Sequence, residues 1–287
     1  MGILTDVPLP LVGASVTMRA LAARAEDLRR DVSRPVLLVG ARGLGKQFLA
    51  QRIHAGSALS KHPLRVFDAR RDALSDLRQQ LDEARGASLL IRHIDRLPLS
   101  AQSMLDQRSG EQSGLARLLA TTTGDVVARV TAGEFLESLY YRLHAWPMLV
   151  PALADRDDAD LLALADAVLT QTADADADLP TTLDDAAAAL LVAHRWPDNL
   201  RELEATLALA QLRARSSPAI GGMHLSLRTG DDTAPTAEMS LADVERWHLL
   251  RAVAAHNGNR THAARSLGIS RMTLIGKLKL YGDDVVS

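Results

Sequence analysis

The sequence predicts an α/β phosphate-loop fold, doubly wound around a parallel sheet, followed by a helical subdomain and a separate all-α helix-turn-helix domain. Three observations carry this. The apolar run Pro35 to Val39 feeds a glycine-rich turn that opens a helix. Further short apolar runs alternate with helical patterns, as in parallel sheets built through crossovers. Residues 240–287 read as three capped helices with a basic outer face.

The loop comes first. Gly40-Ala41-Arg42-Gly43-Leu44-Gly45-Lys46-Gln47 lies between the strand and a helical pattern through Phe48, Leu49, Ile53 and His54. Glycines let backbone N–H groups point into one concavity, the helix start adds partial positive charge, and Lys46 reaches phosphates. Gln47 stands where a metal-holding Ser or Thr is usual. Further strands are expected at 64–67, 88–94, 117–122 and 146–150, with a helix at 72–84 between the second and third. Helices over 157–172 and 183–194 lead to a break at Trp196-Pro197, and another helix follows over 203–213. These limits give an α/β subdomain at 1–160, a helical subdomain at 161–226 and a linker at 227–239, where Arg228 to Glu238 is polar and unpatterned.

In the last domain, Ser240 and Asp243 have capping-box spacing, and Leu241, Val244, Leu249, Leu250 and Val253 form an apolar stripe. Gly258 suits a helix stop and Asn259 a cap; Ala263 and Ala264 permit close packing. After the Gly268-Ile269 turn, Ser270 caps a helix that sends Leu274, Leu278 and Tyr281 inward and offers Arg271, Thr273, Lys277 and Lys279 outward. A cationic outer face on the second helix of such a pair suits the major groove, so double-stranded DNA is the expected partner.

Composition agrees. With 47% hydrophobic residues but 3% aromatics, the core must be aliphatic. Cysteine is absent, which excludes disulfides and thiolate chemistry. No apolar run has membrane-spanning length and no signal-peptide pattern opens the chain, so a cytoplasmic, nucleoid-associated protein is expected. The net charge of −2 hides an asymmetry: residues 241–287 hold seven Lys and Arg against four Asp and Glu, leaving the preceding residues acidic.

The segment Gly258 to Leu274, running on to Gly282, resembles the Fis-type DNA-binding domain that closes many bacterial enhancer-binding activators. The resemblance implies DNA contacts from Asn259, Thr261, Ser270, Arg271, Thr273, Lys277 and Lys279. Ile275 and Gly276 replace polar or basic residues usual there, which implies fewer phosphate contacts; Gly276 also costs about 1 kcal/mol of helix propensity relative to Ala. Residues 11–225 resemble the AAA+ domain of the sigma-54 activator family. The resemblance rests on Val36 to Ser57 for the phosphate loop, Leu89 to Pro98 for the second nucleotide motif, Phe135 to Leu143 for the arginine-finger segment and Trp196 to Glu204 for a sensor. It implies nucleotide contacts from Gly40, Gly43, Gly45, Lys46, Gln47, Arg142 and Arg201, with ATP or another nucleotide as ligand and self-association as a dimer or larger ring. A structural ion pair is the competing role for Arg142 and Arg201. The upstream input module common in the family has no expected place in this chain.

The departures from the family pattern are chemical. Its Asp-Glu pair, which holds Mg²⁺ and polarises water, is here Arg92-His93, and an arginine has no acceptor to offer a cation. Asp95, three positions on, is expected to point elsewhere. Thr123 replaces the usual Asn sensor and Leu136 the first finger arginine. The sigma-54 contact loop, Gly-Ala-Phe-Thr-Gly-Ala in the family, has no counterpart between Phe67 and Leu89, and Gln107 to Leu115 is a short connection. These features predict a DNA-binding regulator without ATP hydrolysis, a bound metal or a sigma-54 contact, whose AAA+ domain serves oligomerisation or ligand sensing. An active ATPase activator and a modulator that co-assembles with full-length relatives are the competing readings.

Overall fold

The computed structural model describes residues 9–110, 117–173, 176, 178–227, 240–256 and 259–281. Gly258, Gly282 and the expected linker from 228 onward lie outside them. The described chain forms two compact units, divided between Ser226 and Leu227.

The first unit is built on five parallel strands, β1 (Val36–Val39), β2 (Leu64–Asp68), β3 (Ser88–Arg92), β4 (Arg117–Thr122) and β5 (Pro147–Leu149), in the order β2-β3-β4-β1-β5. β1 is an inner strand between β4 and β5, with Leu37 opposite Ala120 of β4 and Pro147 of β5. Parallel strands covered on both faces read as unbroken apolar runs, which is why these stand out in the sequence. Helices α1 (Val16–Arg30), α2 (Lys46–Ala55), α3 (Leu74–Glu83), α4 (Leu99–Gly110), α5 (Val126–Thr131) and α6 (Glu137–His144) surround the sheet. Leu37, Phe67, Leu89, Ile91 and Ala120 pack with Leu77 and Leu81 of α3 and Leu139 and Leu143 of α6 in one aliphatic core.

Two expectations are corrected. β3 stops at Arg92, two residues early, because His93 takes the left-handed conformation (φ 55°) and Ile94–Arg96 coils into a 3-10 turn. Residues 107–110 are helical, the end of α4, and the rest of that connection lies outside the described residues. Within α2, Leu49 and Ile53 are fully buried and Phe48 is 39% exposed.

Helices α7 (Asp158–Ala173), α8 (Asp185–Ala193) and α9 (Asn199–Arg213) make the helical part. α9 starts four residues before its expected beginning, because Trp196 and Asn199 both adopt positive φ (52°) and turn the chain sharply after Pro197. Trp196 is buried and donates its indole N–H to the Leu191 carbonyl at 2.9 Å. Asn199 then joins three segments. Its amide donates to the Arg42 carbonyl of the phosphate loop (2.8 Å) and its Oδ1 accepts from the Leu153 N–H (2.9 Å). Beside it the Arg201 N–H donates to the Gly43 carbonyl at 3.1 Å.

The second unit comprises α10 (Leu241–Ala255), α11 (Arg260–Ser266) and α12 (Arg271–Leu280) around Leu249, Ala263, Ala264, Leu274 and Leu278. Gly268 supplies the positive φ (68°) of the turn between α11 and α12. The expected stripe on α10 is corrected: Leu241 is 85% exposed and Leu250 is exposed, because two short partners cover one side of α10 only.

Replacing Asn199 by Ala should strand the Arg42 carbonyl and the Leu153 N–H at about 1–3 kcal/mol each, beyond the cost of a left-handed Ala. Chemical denaturation checks this, with the midpoint falling well below wild type.

Candidate nucleotide cleft and DNA-binding helices

The carboxyl edge of a parallel sheet is where α/β folds bind ligands, and a cleft of about 590 Å³ lies there. β1 ends at the glycine loop, β3 at Arg92, β4 at Thr122 and β2 at Asp68, so four chain segments meet around it. Gly43 and Gly45 both have φ near 70°, and a Cβ on Gly43 would sit 1.9 Å from the Asp198 carbonyl oxygen. The sensor segment therefore presses onto the loop closely enough to require glycine there.

Lys46 opens α2 and is buried, with Nζ donating to the carbonyls of Gly40 and Ala41 at 2.7 Å each. Burial lowers its pKa to about 8, against the opposing field of Asp95. Gly43, Gly45, Gln47 and Arg201 line the cleft together with Lys46, and Gly40 supplies the carbonyl on which the lysine rests. Arg142 does not line it. From α6 its Nε donates to Asp106 Oδ1 of α4 at 3.1 Å, and Ser138 binds the other carboxylate oxygen at 2.6 Å.

Arg92 lines the cleft with its guanidinium 3.1 Å from Asp68 Oδ2. Asp68 is largely spent, since Oδ1 already accepts the Arg70 N–H at 3.0 Å. His93 has its Nδ1 buried without a hydrogen-bond partner, and burial followed by the nearby Arg70 charge lowers its pKa, so the ring is neutral. Asp95 is buried in the turn after β3: Oδ1 accepts from the Thr122 hydroxyl at 2.8 Å and Oδ2 pairs with Arg96 Nε at 3.3 Å. Its carboxylate is not among the cleft-lining groups.

Arg70 and Arg71 also line the cleft, and sequence reasoning missed them. They follow β2, which lies beside β3, so sheet order brings them next to Arg92. The cleft thus gathers Lys46 and five arginines (Arg42, Arg70, Arg71, Arg92 and Arg201) against one lining carboxylate, Glu204. A magnesium ion does not fit this donor set. Its usual carboxylate ligands are replaced by a donor-only guanidinium and an imidazole, Asp68 is occupied, and no cluster of metal-ligating side chains occurs among the described residues.

In the second unit, Asn259 Oδ1 caps α11 by accepting from the N–H groups of Thr261 and His262. Ser270 caps α12, accepting the Thr273 N–H at 3.0 Å, and the two hydroxyls hydrogen-bond each other at 2.8 Å. Thr261, Ser270, Arg271, Thr273 and Lys279 are exposed. Lys277 departs from the expected free cationic face: its Nζ lies 2.6 Å from Glu245 Oε1 of α10, whose other oxygen accepts from Tyr281 at 2.8 Å. The hydrogen bond raises the pKa of Lys277 and lowers that of Glu245.

Two outcomes are expected. Lys46 of the free protein titrates near pH 8, and a phosphate ligand favours its charged form. Phosphate-ligand affinity should therefore hold below pH 8 and fall above it, with proton uptake measurable by calorimetry in buffers of different ionisation enthalpy. On DNA, Lys279→Ala should reduce the salt slope by about 1, whereas Lys277→Ala should leave it nearly unchanged because Glu245 already balances that charge.

Comparison with known proteins covers both units. The sequence model of the sigma-54 interaction domain matches residues 12–153, that of the AAA+ ATPase lid domain 155–240 and that of the bacterial regulatory protein Fis family 240–281. The transcriptional regulatory protein ZraR of Escherichia coli K12 is 31% identical over 93% of this chain and 68% of its own length. FlbD of Caulobacter vibrioides is 27% identical over 97% of this chain and 72% of its own. Among solved structures, NtrX from Brucella abortus in complex with ADP superposes with a TM-score of 0.65 at 25% identity, covering 96% of this chain and 69% of that one. The Thermotoga maritima branch-migration motor RuvB shares the fold alone, with a TM-score of 0.56 at 20% identity over 94% of this chain and 88% of its own. The chain belongs to the sigma-54 activator family of AAA+ transcriptional regulators, with an AAA+ lid and a Fis-type helix-turn-helix.

Proposed function

We propose that this chain is a DNA-binding transcriptional regulator whose AAA+ cleft holds a nucleotide without hydrolysing it. Its AAA+ domain then serves self-assembly or ligand sensing, and its output does not run through sigma-54. The observation that carries the reading is the Arg92–Asp68 pair at the end of β3. Phosphoryl transfer needs neutralisation of developing charge and an oriented water. Arg92 stands where a metal-holding carboxylate is expected, and neutral His93 where the water-polarising carboxylate is expected. The relative NtrX was solved with ADP, which supports a nucleotide as the ligand of the matching cleft.

The connection from β2 to β3 contains α3 and short turns, which supports the absence of a sigma-54 contact loop. Arg142, held to Asp106 on the outer side of α6, is the group we assign to contact between copies. Asn259, Thr261, Ser270, Arg271, Thr273 and Lys279 are assigned to DNA, with Lys277 bracing α12 against α10.

A second reading has the comparisons on its side. Family membership favours an ATP-hydrolysing activator, and the intact loop with Lys46 is compatible with one. It requires Arg92 and His93 to replace two carboxylates at the end of β3, while the one carboxylate lining the cleft, Glu204, comes from α9. Co-assembly with full-length relatives is compatible with either reading.

Phosphate release from ATP, measured with DNA present, separates the two. Turnover should stay at background in the wild-type protein and in Lys46→Ala alike. Turnover that Lys46→Ala abolishes establishes the second reading instead.

A further inference from the structure

Resting on that nucleotide reading, we propose that the cleft takes its nucleoside polyphosphate as the metal-free anion, with Arg92, Arg70 and Arg71 supplying the neutralisation that Mg²⁺ otherwise provides. Three observations combine. Arg92 projects into the cleft at the end of β3, its guanidinium shared with Asp68 at 3.1 Å. Arg70 and Arg71 line the same wall from the end of the adjacent strand and enter no ion pair among the described residues. Lys46 lies in the same cleft, two of its donors resting on carbonyls of the loop itself.

Guanidinium groups bind phosphate oxygens through paired parallel donors, and several acting together match a chain of phosphates better than one point charge does. A magnesium ion on the same phosphates would occupy those oxygens and bring a double positive charge against the arginines. It would also find no free carboxylate at the ends of β2 and β3, because Asp68 already accepts from Arg92 and the Arg70 N–H. Metal and protein therefore compete for one ligand, whereas a metal-dependent site makes them cooperate.

The test is a titration of the full chain with ATP and with ADP, in EDTA and in saturating Mg²⁺, followed by calorimetry. The expected dissociation constant in EDTA is lower by about tenfold or more, and Lys46→Ala weakens binding in both media. Arg92→Gln should remove most of the difference. Arg70→Gln, on an exposed turn outside the core, should weaken binding in EDTA more than in Mg²⁺, which guards against a folding defect in the first variant. Binding that is tighter with Mg²⁺, equal in both media, or indifferent to Lys46→Ala overturns the proposal. In the first two of those cases the nucleotide reading stands. If neither ATP nor ADP binds in either medium, the nucleotide reading falls with it.

Discussion

Asn199 holds the candidate nucleotide cleft in shape. Its left-handed backbone turns the chain after Pro197, and its one side chain satisfies both the Arg42 carbonyl and the Leu153 N–H. Buried backbone groups need partners, so a single amide that serves two segments fixes both. With the Arg201 N–H on the Gly43 carbonyl and Arg42 paired to Asp198 at 3.4 Å, the glycine loop is stapled to the first turn of α9. Arg201 and Glu204 then reach the cleft from the helical side. Gly43 follows from the same constraint, because the Asp198 carbonyl leaves no space for a side chain.

Charge decides what this cleft does. A phosphate loop contributes backbone donors and one lysine whichever chemistry follows, so its retention does not distinguish binding from turnover. The strand ends beside it do. On β3 a guanidinium and an imidazole stand in place of two acids, and the two buried acids nearby are committed, Asp95 to Thr122 and Arg96 and Asp68 to Arg92 and the Arg70 N–H. The positive potential that results suits polyanion capture. The proposed loss of turnover follows from that exchange of two acids for a guanidinium and an imidazole.

Much of the fold was legible because parallel strands announce themselves as short apolar runs, and all five came within about two residues of their observed limits. The phosphate loop and the caps Asn259 and Ser270 were legible because each depends on neighbours in sequence. What was missed depends on distant partners. Glu245 and Lys277 are 32 positions apart, and nothing local marks their pairing. Arg70 and Arg71 reach the cleft only because β2 lies beside β3. The early start of α9 required a positive φ at Asn199 that periodicity does not register, and the α10 stripe overstated burial in a three-helix domain too small to cover it.

In the proposed cleft, arginine stands where a metal stands in a motor. The most direct measurement is a crystal structure of the ATP complex grown with Mn²⁺, read through its anomalous difference map. The expected result is intact nucleotide with Arg92 against the phosphates and no anomalous peak beside them. A manganese peak bridging the phosphates, with Arg92 swung away, would contradict it.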